Sequence, residues 1–163
     1  MTTEANSGKS KFEKAEQILE DFETSIGLPP NKMSISLLDE AQELLALSRE
    51  DRERLTCEEC AEAALTLSQY AAHISRACQR EEQRMVFAED ESDRIIAPFI
   101  TNISAYGKWE KRLSLLANNK EAQSFESMRK EAQAKYKRLL YFSQRVDKVA
   151  DAYRNLSIIK KRG

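Results

Sequence analysis

Basic residues surround Tyr141 near the end of the chain, and this group is the best candidate for chemistry in the sequence. When the apolar seam of this region is numbered from Phe125 as heptad position a, Tyr141 and the cations around it fall outside positions a and d and face away from the seam. Faces of this kind bind single-stranded nucleic acids, because the cations contact phosphates while a base stacks on the ring. Stacking contributes about 1–3 kcal/mol of binding free energy per base. The predicted nucleic-acid-binding residues are Lys130, Lys137, Arg138, Tyr141, Arg145, Lys148, Lys160, Lys161 and Arg162.

The charge of the chain is distributed unevenly along its length. Residues 120–163 hold twelve Lys or Arg against five Asp or Glu, a balance of +7, while residues 1–60 hold seven against fourteen, a balance of −7. A second interpretation of the basic stretch is therefore open: its cations solvate a helix and pair with the acidic N-terminal half, or with Asp147 and Asp151.

Residues that could support catalysis or bind a metal are few. Cys57 and Cys60 have the spacing of a redox or zinc pair, but no second pair follows and no strand precedes them, so we expect reduced, buried thiols. His73 has no carboxylate or cysteine at metal-binding spacing. The segment 8–10 reads Gly-Lys-Ser but lacks the upstream glycine of a phosphate-binding loop. We expect a protein that is not an enzyme, with no catalytic residue, metal or cofactor.

Two long helices are expected to position the basic face. From Phe125 onward apolar residues recur at heptad spacing, broken only by Lys135, which predicts a helix of about 48 Å. A second seam runs from Cys60 to Ile95, after a T-x-x-E capping box at residues 56–59. Its small side chains, mostly Ala and Cys, leave shallow spaces into which the larger side chains of the later seam can pack. Residues predicted in the core or in contacts between subunits are Leu67, Ala71, Ile74, Phe125, Met128, Leu139, Phe142, Val146, Val149, Tyr153 and Leu156.

Shorter helices are predicted at about 10–26 and 35–47, separated by a Gly-Leu-Pro-Pro stretch. Pro98 should end or kink the first long helix, and Trp109 is expected to be an anchor in the core. We divide the chain into a disordered tail (1–9), an N-terminal helical region (10–55), and a long-helix region for assembly and nucleic-acid binding (56–163).

Composition supports an all-α fold: an elongated bundle with two long antiparallel helices and shorter N-terminal helices. Of 163 residues, 41% are hydrophobic and 33% are charged, with only 4 Gly and 3 Pro. Long charged helices bury thin cores, so we expect a homo-oligomer. No apolar run reaches the 18 or more residues of a membrane span, and the first ten residues do not resemble a signal peptide. We therefore expect a cytoplasmic protein that does not contact a membrane.

The region 60–163 resembles the UvsY-type recombination mediators of tailed phages. The resemblance is carried by Lys135-Tyr136 with Phe142, by the ending Arg154-Asn155-Leu156-Ser157-Ile158-Ile159-Lys160, by Leu65-Thr66-Leu67-Ser68-Gln69-Tyr70 in the first long helix, and by Tyr106-Gly107-Lys108. The spacing between Phe142 and Arg154 departs by one residue from the family pattern, and Leu156 replaces an aromatic residue.

The resemblance implies an all-helical, ring-forming oligomer that binds single-stranded DNA without hydrolysing anything. It implies that Arg154 and Lys160 contact DNA. It also implies partners, a RecA-like recombinase and a single-stranded-DNA-binding protein, and location in the host-cell cytoplasm. We expect a recombination mediator that helps load the recombinase on coated single strands. The alternative is a non-enzymatic scaffold or adaptor, such as a phage assembly factor, whose basic helix binds an acidic protein.

Overall fold

The computed structural model describes residues 3–27, 33–102 and 107–162, which form helices joined by short turns and contain no strand. This confirms the predicted all-α class with its two long, packed helices. In chain order the α-helices are α1 (Thr3–Ser25), α2 (Ile35–Ala46), α3 (Arg49–Arg54), α4 (Cys57–Ile96), α5 (Lys108–Asn118) and α6 (Lys120–Arg162), with a 3₁₀-helix at Ala97–Asn102. Within these described ranges no helix is both long enough and apolar enough to cross a membrane.

The start of α4 is set by the predicted capping box. The Thr56 hydroxyl accepts a hydrogen bond from the Glu59 amide at 3.2 Å, and the Glu59 carboxylate accepts one from the Thr56 amide at 2.7 Å. Hydrogen bonds to the carboxylate from the Thr56 backbone and side chain, with a smaller contribution from Lys160, lower the pKa of Glu59 against the opposing effect of desolvation. A local sequence signal, the capping box, therefore sets the N-terminus of this long helix.

Glycine and proline end helices where the sequence predicts. Gly27 follows α1 with a φ of 77°, a left-handed conformation that favours glycine. The α-helical hydrogen bonding of α4 ends at Ile96, and Pro98 lies in the 3₁₀-helix that follows. Gly107 precedes α5 as its N-cap residue.

The first helix begins earlier than its apolar stripe predicts. It starts at Thr3, whereas the stripe predicts a start at Ser10 and a disordered segment over 1–9. Most residues before Ser10 oppose a helix only weakly, and each residue added to an existing helix gains a hydrogen bond. The α-helix therefore extends upstream of its apolar stripe.

The chain separates into two compact units, and each long helix contributes a segment to both. The α2–α3 unit comprises Asn31–Gln79 and Lys137–Gly163, and the α1–α5 unit comprises Met1–Pro30 and Arg80–Tyr136. This division differs from the predicted one at residue 55. The reason is that helices bury their faces sideways, so the segments that share a core are distant in sequence.

In the α2–α3 unit, α4 and α6 run antiparallel with α2 against them. Cys57 lies opposite Ser157, with Sγ 3.3 Å from the Ser157 carbonyl oxygen, and the Ser143 hydroxyl lies 3.3 Å from the Ala71 carbonyl oxygen. Tyr153 is buried and donates its hydroxyl to the Leu44 carbonyl at 2.9 Å. The buried residues of this core are Ala41, Cys60, Ala63, Ala64, Leu67, Tyr70, Ala71, Ile74, Val146, Ala150 and Tyr153.

The α1–α5 unit has two smaller clusters of buried residues. One contains Ala88, Phe125 and Met128, with the ring of Phe12 from α1 packed 5.6 Å from that of Phe87 at its edge. The other contains Ile96, Leu116 and Ala122. The α1 helix is also held by ion pairs between Arg80 and Glu16 and between Lys11 and Glu91.

The predicted seams are mostly buried, and two residues depart from prediction: Phe142 in a seam and Trp109 outside the seams. Seven of the eleven seam residues are buried, namely Leu67, Ala71, Ile74, Phe125, Met128, Val146 and Tyr153, and three are half-buried, namely Leu139, Val149 and Leu156. Phe142 keeps 40% of its surface exposed and packs edge-on against Tyr70. The prediction for Trp109 is wrong: it is 62% exposed, and the Arg112 guanidinium lies over its ring.

Candidate nucleic-acid interface

One side of α6, within the α2–α3 unit, carries four cations and a tyrosine. At 3.6 residues per turn these five positions fall within about 100° of arc and extend over about 17 Å of helix. All are exposed, and they face away from the side of α6 that buries Val146 and Tyr153. We call this surface the basic face, and it consists of Lys137, Arg138, Tyr141, Arg145 and Lys148.

Tyr141 is the aromatic centre of the basic face. Its side chain is 65% exposed. The Arg145 guanidinium carbon lies 6.0 Å from the centre of its ring, at the outer limit of a cation–π contact. An exposed ring with a cation beside it presents a surface on which a base can stack while a phosphate contacts the neighbouring charge.

The cations of the basic face are not neutralised by nearby carboxylates. Among the described residues, no ion pair involves Lys137, Arg138, Arg145 or Lys148. Residues 137–162 hold eight Lys or Arg and two Asp or Glu, a balance of +6. Of the two carboxylates, Asp147 falls on a different side of the helix, whereas Asp151, three residues after Lys148, borders the basic face and pairs with Arg154.

Acidic groups of the same unit are engaged elsewhere. Glu53 pairs with Arg49 at 2.9 Å, and Asp51 lies 3.7 Å from Arg54. The Glu40 carboxylate accepts a hydrogen bond from Thr66 at 3.2 Å. The interpretation in which the basic residues pair with carboxylates of their own chain therefore holds for Arg154, which pairs with Asp151, but, among the described residues, not for the four cations of the basic face.

Arg154 and Lys160 are drawn into contacts inside the α2–α3 unit. Arg154 pairs with Asp151, and its guanidinium also reaches to 3.5 Å from the Ser68 hydroxyl on α4. Lys160 donates to the carbonyl oxygens of Glu53, at 2.6 Å, and Leu55. These carbonyls are at the C-terminal end of α3, where an ammonium group satisfies acceptors that the helix leaves open.

The remaining predicted cations are set apart from the basic face. Lys130 belongs to the α1–α5 unit and lies 3.9 Å from the Glu126 carboxylate. Lys161 and Arg162 are exposed in the last turn of α6. Lys161 points toward the opposite side of the helix from Tyr141, whereas Arg162 is close in rotation to Lys137.

One residue on the same side of α6 was not predicted. Ile159 lies five turns beyond Tyr141 in the same orientation and is 66% exposed. A search for cations and aromatic rings passes over an isoleucine. The signal that could have found it is that its position falls outside the heptad seam, where a large apolar side chain is unexpected.

The cysteines and the histidine do not form a site with the described residues. The three cysteines are free thiols, Cys60 and Cys78 are buried, and burial raises the pKa of the Cys60 thiol. His73 is half-buried on α4. No group of three or more possible metal ligands comes together in the parts of the chain that the structure describes.

A cavity of about 350 Å³ lies between α1, α4 and α6 in the α1–α5 unit. Charged side chains of both signs line it, and most of them are paired, including Arg80 of α4 with Glu16 of α1. Arg84 lies 3.7 Å from Glu81 and 3.8 Å from Glu131, which also binds Lys135 at 2.7 Å. The charged residues around the cavity therefore serve to connect the helices, and they hold α1 against α4.

Comparisons of the chain with protein families, with curated proteins and with solved structures found no match.

Proposed function

We propose that this protein binds single-stranded DNA through the basic face of α6. One observation carries the proposal: four cations without carboxylate partners surround an exposed tyrosine on one side of a helix. Phosphates would contact the cations and release their counterions, and a base would stack on Tyr141. The face is convex and short, so one chain would hold a strand weakly.

The resemblance to UvsY-type mediators supports a more specific role. A weak site becomes effective when several copies are linked, because each bound copy raises the local concentration of the next. An assembly of this kind would hold a strand in an extended shape on which a RecA-like recombinase can nucleate, displacing a single-stranded-DNA-binding protein. The proposed activity is binding and positioning, with no chemical step.

Charge reversal on the basic face tests the DNA-binding proposal. The variant Lys137→Glu with Arg138→Glu should weaken binding to a labelled oligothymidine at low salt by at least about tenfold, because two attractive contacts become repulsive. Fluorescence anisotropy measures the affinity, and far-ultraviolet circular dichroism checks that the helices persist.

A control variant on the other side of the same helix distinguishes the effect of net charge from the effect of position. Arg154→Glu with Lys161→Glu makes the same change in charge outside the basic face. We expect it to keep most of the affinity. Equal losses in the two variants, or full affinity in the first one, would refute the assignment of this face.

The adaptor alternative would use the same cations on an acidic protein. Poly-glutamate is a suitable probe, since it has negative charge but no base. Replacing Tyr141 with Ala should weaken oligothymidine binding and leave poly-glutamate binding unchanged. If poly-glutamate binds more tightly than oligothymidine, and Tyr141→Ala affects neither, the adaptor function is favoured.

A further inference from the structure

The apolar stripe of α1 is packed along one part and exposed along the other. Near its start Phe12 is half-buried against Phe87, and ion pairs fix this part to α4, through Lys11 and Glu16, and to α6, through Lys11 and Glu121. Beyond Glu16 the stripe continues with large apolar side chains in solvent. These are Ile18, 68% exposed, Leu19, Phe22, 59% exposed, and Ile26.

Four large apolar residues in line on an exposed helix face are not a random surface feature. Ile18, Phe22 and Ile26 follow at four-residue spacing, so they form one continuous ridge with Leu19 beside it. Scattered apolar residues are ordinary on protein surfaces, whereas contiguous ones mark contact sites. We call this surface the α1 ridge.

The charge around the α1 ridge indicates what can cover it. Residues 16–26 contain four Asp or Glu and no Lys or Arg. Two α1 ridges placed together would bring like charges into contact, which disfavours a symmetric pair of α1 helices. A surface that covers the ridge must instead carry positive charge and apolar side chains.

The C-terminal part of α6 has both properties. Its balance of +6 over residues 137–162 is opposite to that of the α1 ridge. Exposed Tyr141 lies among the cations of the basic face, exposed Leu140 and Phe142 lie at its two edges, and exposed Ile159 faces the same way five turns further along. Tyr141 and its apolar neighbours can pack on the ridge while the cations beside them meet the carboxylates that border it.

We propose that the α1 ridge docks on the basic face of α6 in a second copy of the chain. The contact joins two different surfaces, and each copy carries both of them. The resulting assemblies are therefore rings or open chains and not closed symmetric dimers. Charge complementarity makes the contact sensitive to salt. Since the basic face is also the proposed DNA surface, DNA should compete with docking; this last point alone depends on the proposed function.

Sedimentation of nuclease-treated protein without DNA tests the docking. The average mass should rise with protein concentration at about 50 mM salt and fall toward that of the monomer at about 500 mM. Phe22→Ala with Ile26→Ala should raise the dissociation constant at least about tenfold, because an aromatic anchor and an apolar neighbour are lost while the charge is unchanged. The control Leu65→Ala truncates a leucine that is 61% exposed on α4 and should have no effect.

A charge swap tests the pairing of the two surfaces. Glu20→Lys with Asp21→Lys, and Lys137→Glu with Arg138→Glu, should each self-associate more weakly than the native chain. An equimolar mixture of the two variants should associate again, because the α1 ridge made basic in one variant can contact the α6 face made acidic in the other. This recovery does not require DNA, so it is separate from the outcome of the DNA-binding test.

Three results would overturn the proposal: a monomer at every concentration and salt, native association in the Phe22→Ala, Ile26→Ala variant, or no recovery in the mixture. Single-stranded oligothymidine added to the assembled native protein should lower its mass. An unchanged mass while the oligonucleotide is bound would overturn the competition between DNA and docking.

Discussion

The salt dependence of DNA binding allows the contacts of the basic face to be counted. Each cation that neutralises a phosphate of a single strand contributes about −0.7 to the slope of log affinity against log salt. Four unpaired cations on the basic face therefore predict a slope of about −2.8. Raising the salt from 50 to 200 mM should then weaken binding about 50-fold.

Neutral substitutions should reduce this slope in proportion. Lys137→Gln with Arg138→Gln leaves Arg145 and Lys148 in place, so the slope should fall to about −1.4 and the loss over the same salt range to about sevenfold. Glutamine keeps much of the side-chain volume and a similar helix propensity, so the helix should be preserved.

Anisotropy titrations of a labelled oligothymidine at five or more salt concentrations give the slopes. The matched control is Arg154→Gln with Lys161→Gln, which removes the same charge from α6 outside the basic face and should keep a slope near −2.8. If the control variant loses as much slope as the test variant, DNA is attracted by net charge without using this face. A native slope near zero would refute phosphate binding altogether.

Three further predictions follow from particular contacts. Tyr141→Ala should cost about 1–3 kcal/mol of DNA-binding free energy, seen in anisotropy titrations, without changing the salt slope, because stacking releases no counterions. Lys160→Met removes the donor to two carbonyls at the end of α3; it should lower the free energy of unfolding in urea by about 1–3 kcal/mol and leave DNA affinity near native. The pKa of Glu59 is lowered in the folded chain, so its stabilisation is present above its ordinary pKa of 4.5 and lost as pH falls through the folded value. The melting temperature of Glu59→Gln should therefore fall less than that of the native chain on acidification, and an equal fall would contradict the role of the capping box.

The two long helices and most of their buried residues could be predicted because the signals are local. The Thr56–Glu59 capping box marks the start of α4, and Pro98 marks the change of helix type after Ile96. Heptad spacing identifies a buried stripe because the period of a helix places every third or fourth residue on one side. The basic face was also predictable, since Lys137, Tyr141 and Lys148 fall outside the stripe.

Contacts between distant segments decided which predicted cations remain available. Arg154 and Lys160 look like their neighbours in the sequence, but Arg154 reaches Ser68 on α4 in addition to its local pair with Asp151, and Lys160 caps α3, about a hundred residues away in the chain. The exposure of Trp109 is likewise a result of packing, because its type alone favours burial.

The sequence by itself therefore determined the helices, their buried stripes and the separation of charge along the chain, since each of these depends on residues within a few turns of one another. Only the tertiary structure decided which apolar residues of α1 stay in solvent and which cations of α6 are left without a partner. Burial and pairing depend on which segments meet in space, and no local pattern encodes that meeting.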